Sequence, residues 1–391
     1  MTRAIVLAAA LLAVATAFFI VRPKPTPGPA LRDFESYYAA GTTWRYHGDA
    51  YGRDVWRVEK DVPGVVATRD ELLPFVGPPF GLPLWDALGR LPFRAAVPMW
   101  SAVMILSLGA LALGSLQRAG SPIGAIDVLG ILIFCAGFGP LTSGVALGQV
   151  AVASCAAIVL FPLFLRPRLL LAATFAALVA GLQPNLAVVL LARLAGRRAW
   201  LALGGAFVIA FLGSILALGD ANGFTHYLSV LRDHAGAERF IAIQTTCAAV
   251  ARAFGASAGT SGAVAFGVAA VVVVPLVVQV RSRRYSPDGC LALACAAWPL
   301  ALPFAHEHDF TIVFFPAGLA VRAARGAAWV VAAFATLAVG VDWLGLAQRP
   351  DGVAETTCLT LAAALALAAL ARGALRPWHF APALATLAVP F

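Results

Sequence analysis

Long apolar runs separated by short arginine-rich breaks leave this chain one kind of fold. Runs at 4–21, 95–116, 123–139, 150–165, 199–218, 262–280, 290–304, 310–321, 327–341 and 357–371 hold almost no charge. A helix satisfies its backbone polar groups internally, so it is the form in which such a run crosses lipid. Charged residues make up 12% of the chain against 61% hydrophobic, whereas an ordinary soluble domain carries roughly 25% charged. A mean hydropathy of +0.86 agrees. The sequence predicts an all-α polytopic membrane protein, a single integral-membrane domain over 1–391 with about 10–12 transmembrane helices.

The breaks set an expected orientation. Arg118, Arg166/Arg168, Arg193/Arg197/Arg198, Arg281/Arg283/Arg284, Arg322/Arg325 and Arg372/Arg376 fall between runs, and such clusters favour the cytoplasm. Run 4–21 reads as an uncleaved first helix, because the apolar core of a signal peptide is usually only about 7–15 residues. Segments 22–94, 219–245, 305–309 and 342–356 are then extracytoplasmic, in the inner (plasma) membrane of a bacterium. The net charge of +9 belongs to these loops beside anionic lipid, which argues against nucleic acid as a partner. The scattered cysteines form neither a disulfide framework nor a zinc spacing.

Run 169–192 departs from the pattern, because arginines flank it on both sides and Gly181-Leu-Gln-Pro-Asn185 interrupts it. Pro184 ends or kinks a helix there. Two short helices are expected, near 169–181 and 185–193, with one long kinked helix as the alternative. A broken helix of this kind commonly borders a binding site. Gln183 and Asn185 are therefore candidate substrate contacts.

The acids are concentrated in the first loop, where residues 22–94 hold nine of the nineteen Asp and Glu. Phe34, Tyr37, Tyr38 and Gly41 follow a helical spacing, so 33–46 is expected to form an amphipathic helix on the membrane face. Trp85 and Trp100 suit interfacial anchors. Asp33 starts this helix and has two readings: an N-cap, or a general base that takes a proton from a reacting hydroxyl. Glu35, Tyr37 and Tyr38 beside it are candidate substrate contacts, although Glu35 also reads as a solvated or salt-bridged partner. Gln149 lies at a helix mouth after an uncharged loop, 139–149, and reads as either a helix-start hydrogen bonder or a ligand. Asp127 reads as solvated, and His226 and His234 as bordering a cleft. In His306-Glu307-His308-Asp309, His306 and Asp309 share a helical face and could bind substrate hydroxyls. No third ligand completes a metal set, so no metal site is expected. Nucleotide and hydrolase motifs are missing.

The runs Asp33-Phe34, Tyr37-Tyr38-Ala39-Ala40 and Gly48-Asp49-Ala50-Tyr51 resemble the opening of glycosyltransferase family 87. So do Pro78-Pro79, Leu82-Pro83-Leu84, the stretch Ala95 to Trp100, Gly148-Gln149 and Gln183-Pro184. The resemblance spans about 30–320. It implies a GT-C-type fold with a long first extracytoplasmic loop, and a bacterial membrane mannosyltransferase using polyprenyl-phosphate-mannose. That lipid-linked sugar is a substrate, and no cofactor is implied. The acceptor would be an extracytoplasmic glycan or glycolipid, with Asp33 as the base of an inverting transfer. The chain departs from the family where Lys-Pro is common and Gln183-Pro184 stands instead, and where Ile243-Gln244-Thr245 replaces Asn-Gln-Ser. Gln donates hydrogen bonds but carries no charge, so Arg252, Arg32 or Arg239 would have to meet the phosphate. A solute or lipid transporter and a catalytically silent relative remain the alternatives.

Overall fold

The fold is given by a computed structural model, which describes residues 12–13, 31–66, 68, 72–117, 124–238, 244–282, 287–341 and 353–374. Most of run 4–21 lies outside the described residues, as do Arg118, Arg239, Arg283, Arg284, Arg376 and residues 342–352. Every regular element among the described residues is helical.

Three helices are long and apolar enough to cross a membrane: Phe93–Leu116, Arg197–Leu218 and Ala258–Arg281. A bent pair, Ala125–Gly137 and Gly139–Leu147, makes a fourth if counted as one span, and turns by 67°. Of the ten to twelve crossings expected, these three or four have the length among the described residues. The other apolar helices run 10–17 residues. At about 1.5 Å per residue, most fall short of a hydrocarbon core about 30 Å thick. Several are prolonged by tight 3-10 turns, at Phe161–Phe164, Val188–Arg193 and Glu307–Val313. Leu216 and Phe266 lie 82% and 78% exposed on the long helices, with Phe207 and Val271 nearly as open. An apolar surface of this extent suits lipid rather than water. The chain is a multi-pass, all-α membrane protein.

Stretch 139–149, expected as a loop, is mostly the helix Gly139–Leu147. Pro140 supplies the preset φ of a first helical turn, and Gly148 closes the helix in the left-handed region. Asp127, expected to be solvated, caps its helix by accepting from the Gly124 N–H at 3.1 Å and lies 3.8 Å from Arg322. The break near 182 is present. One helix covers Leu170–Gly181, Gln183 is non-helical, and Pro184 opens the next turn.

The first loop folds as helix Phe34–Arg45 laid on helix Leu82–Gly89. Backbone meets backbone at Gly41, where an added Cβ would come within 2.1 Å of the Trp85 carbonyl carbon. Trp85 and Trp100 are not interfacial anchors, because each is 2% exposed. Tyr37 stacks on Trp85 at 4.8 Å, and Phe34 stacks on Trp100 at 5.7 Å. These large side chains each contribute about 2–3 kcal/mol on burial, and the aromatic core needs them more than the interface does. Trp44 Nε1 donates to the Ala217 carbonyl at 2.8 Å and ties the loop helix to the end of a spanning helix.

Candidate active site

Helix Phe34–Arg45 meets turn 147–149 end on. The Asp33 backbone N–H donates to the Leu147 carbonyl at 3.0 Å. Two residues further on, Gln149 Nε2 donates to Asp33 Oδ2 at 2.5 Å, and Gln149 Oε1 accepts from the Tyr37 hydroxyl at 2.9 Å. Asp33 occupies the N-cap position but makes no side-chain cap bond. Its carboxylate is turned to Gln149 instead, which sets aside the capping reading. Gly148 makes the approach possible. Its φ is +73°, and an added Cβ would lie 2.9 Å from the Cβ atoms of both Leu31 and Phe34. Leu31 itself has φ +58°, a conformation that side-chain-bearing residues seldom adopt. Trp100 Nε1 donates to the Gly148 carbonyl at 2.7 Å and pins the turn from the other side.

A second knot forms where the broken helix meets residues 305–309. Asp309 Oδ1 accepts from Gln183 Nε2 at 3.1 Å and from Asn185 Nδ2 at 3.4 Å, while Oδ2 accepts from the His306 backbone N–H at 3.0 Å. Asp309 is 1% exposed, and both of its oxygens are engaged. Gln244 is fully buried and accepts from the Ala305 N–H at 3.0 Å. Its Nε2 lies 3.4 Å from the half-buried His306 ring. The charges of both knots, Asp33 and Asp309, act on Tyr37 and His308. Burial raises the pKa of Tyr37, and the charges of Asp33 and Asp309 add to the shift, so its hydroxyl stays protonated. His308 is held below its ordinary value by burial, with Asp309 and Asp33 opposing that effect. Among the described residues no group of three or more His, Cys, Asp or Glu could hold a metal ion.

The sequence profile of glycosyltransferase family 87 matches residues 75–303, more than half of the chain. The chain belongs to glycosyltransferase family 87. No significant match was found among curated proteins or solved structures. Membership in this membrane family makes glycosyl transfer its class of activity. Gln149, Gln183, Asn185 and Gln244 lie inside the matched segment, and Asp33, Tyr37, His306 and Asp309 outside it. Packing brings the two sets together.

Three residues expected at the site lie apart from this network. Tyr38 donates to the Leu91 carbonyl at 2.8 Å and packs edge-on against Phe93. Glu35 is neither solvated nor turned toward the network. It is fully buried and ion-paired with Arg32, which also lies 3.4 Å from Glu59. Arg252 is exposed and donates to the Ala256 carbonyl at 2.8 Å, just past the end of its own short helix. His226 pairs with Asp49 at 3.0 Å, and His234 packs against Phe304 at 5.5 Å. Gln244, His308, Trp85 and Trp100 were not legible as parts of the site. Three of them left traces in the sequence: Gln244 in Ile243-Gln244-Thr245, His308 in the polar run His306-Glu307-His308-Asp309, and Trp100 at the end of the family-like stretch from Ala95.

Proposed function

We propose that the protein transfers a hexose, mannose on the family resemblance, from a polyprenyl-phosphate-linked donor to an extracytoplasmic glycan or glycolipid. Asp33 is the base of an inverting displacement. The acceptor oxygen attacks the anomeric carbon and its proton passes to Asp33. The bond from that carbon to the phosphate oxygen breaks, and the lipid phosphate leaves with the electron pair. The observation that carries this reading is the half-exposed Asp33 carboxylate, held away from its helix cap by a dedicated amide at 2.5 Å. A cap would spend the carboxylate on backbone N–H groups, whereas a general base must keep an oxygen within reach of the hydroxyl it deprotonates.

Beside it, Gln183, Asn185 and His306 offer half-buried polar groups for sugar hydroxyls and phosphate oxygens. The same arrangement fits a GT-C-type enzyme of the bacterial inner membrane whose site opens on the extracytoplasmic side. The test is transfer from radiolabelled polyprenyl-phosphate-mannose in membranes containing the wild-type protein or Asp33→Asn. Wild type turns over the donor and the variant loses at least about a hundredfold, the scale of a removed general base. Near-normal turnover by Asp33→Asn, at equal protein level, sinks the assignment.

A further inference from the structure

The sequence reads Tyr37 and Gln149 as substrate contacts, but their geometry gives them a different task. We propose that both are positioning residues, fixing one oxygen of Asp33 so that the other faces the acceptor hydroxyl. The proposal rests on Asp33 being the base.

A primary amide accepts only at its oxygen, through two lone pairs, and donates only at its nitrogen, so it can face a carboxylate productively in one orientation only. The Tyr37 hydroxyl donates to Gln149 Oε1 at 2.9 Å, which turns Nε2 toward Asp33 Oδ2 at 2.5 Å. Rotated the other way, the amide would set its carbonyl oxygen against a carboxylate oxygen with no proton between them. The acceptor-only carboxylate therefore selects the amide orientation, and the Tyr37 hydroxyl, which keeps its proton, secures it by donating to Oε1. Its ring cannot swing away, because Trp85 stacks on it at 4.8 Å and Phe75 meets it edge-on at 6.2 Å.

Both ends of the Gln149–Asp33 contact hang from one piece of backbone. The Asp33 N–H is bonded to the Leu147 carbonyl at 3.0 Å, and the Gln149 N–H to the Gly144 carbonyl at 2.8 Å. A substrate that engaged the Gln149 side chain would have to share its Oε1 with Tyr37 or its Nε2 with Asp33. Asp33 Oδ1 has no hydrogen-bond partner among the described residues and is the oxygen left for the proton. A base aimed in this way is worth most in the transition state, where displacement by about 1 Å can cost about a hundredfold in rate.

The experiment is a double-mutant cycle on detergent-purified protein, using radiolabelled polyprenyl-phosphate-mannose and a bacterial glycolipid extract as acceptor. Gln149→Ala should lower kcat by about 10- to 100-fold, the range for losing a hydrogen bond to a charged group, with donor KM unchanged within about twofold. Tyr37→Phe keeps the ring and its stacking and should lower kcat by a smaller factor. The double variant should be no slower than Gln149→Ala alone, because Tyr37 acts through Gln149. A rise in KM with kcat intact would make Gln149 a substrate ligand and overturn the proposal. Multiplying effects in the double variant would overturn it too. Asp33→Asn runs alongside: if that variant still turns over, the base assignment itself fails, whatever the cycle shows. Absence of turnover by the wild-type protein overturns both. Thermal unfolding of each variant, compared with wild type, separates lost positioning from lost fold.

Discussion

Gly148→Ala is the most informative single change outside the reacting groups. The glycine sits at φ +73°, and a Cβ there would stand 2.9 Å from the Cβ atoms of Leu31 and Phe34. Cβ atoms move only with their backbone, so neither neighbour can yield by rotating a side chain. A left-handed residue bearing a Cβ costs about 1–2 kcal/mol. Forcing a methyl into a packed contact costs about 1–3 kcal/mol more. Together these give roughly 2–5 kcal/mol, which for a protein of this size lowers the unfolding temperature by on the order of 5 °C. The site suffers more than the fold, because the same turn holds the Leu147 carbonyl and the Gln149 amide against Asp33. A shift of about 1 Å in that contact should cost about a hundredfold in transfer. The assay pairs intrinsic tryptophan fluorescence on heating with donor turnover at a temperature where the variant is still folded. Gly148→Asn separates the two costs: Asn enters the left-handed region more readily than Ala but carries the same Cβ. Recovery in Asn assigns the loss to the dihedral, and equal loss assigns it to the contact. A Gly148→Ala protein as stable and as active as wild type would refute the reasoning from backbone approach.

Two further outcomes follow from the first loop. Gly41→Ala should prevent helix Phe34–Arg45 from seating on Leu82–Gly89, since the new Cβ would lie 2.1 Å from the Trp85 carbonyl carbon. Loss of folded protein in size-exclusion chromatography checks it, and normal yield with normal turnover would contradict the packing. Glu59 has its pKa pushed up from the ordinary 4.5 to about 7 by burial, opposed by the Leu73 N–H and by Arg32. The folded chain therefore holds that proton more tightly than the unfolded one. Its contribution to stability is greatest at low pH, falls as pH rises between about 4.5 and about 7, and levels off above that. Unfolding temperatures across that window should fall less steeply in Glu59→Gln than in wild type, and parallel slopes would count against the assignment.

Local pattern carried much of this fold. The helix expected over 33–46 from Phe34, Tyr37, Tyr38 and Gly41 runs Phe34–Arg45, and the break expected at Gly181–Asn185 falls at Leu182 and Gln183. Both depend on neighbours within a turn or two. Helix Gly139–Leu147 was also open to reading, with Pro140 at its start and Gly148 at its end, but its place between two apolar runs gave it the look of an uncharged loop. What pattern could not give were pairings between distant segments. Gln149 reaches Asp33 across 116 residues, and Gln183 reaches Asp309 across 126. Each residue alone has an ordinary local role, and only packing turns Asp33 away from its cap. Arg252 shows the converse. Its charge suggested a phosphate ligand, yet its short helix aims it at the Ala256 carbonyl.

The amides that hold Asp309 have a consequence for ionic strength. Gln183 and Asn185 bear no net charge, and Asp309 is almost fully enclosed, so mobile ions have little field to screen and little access to the contact. The clasp between His226 and Asp49 is of the other kind, with side chains 47% and 46% exposed. When His226 is protonated, that clasp depends on an attraction that added salt weakens. Rising salt should therefore loosen helix Ala221–Glu238 at the periphery while the centre keeps its shape. Ionic strength around the protein can then vary without retuning the geometry at Asp309.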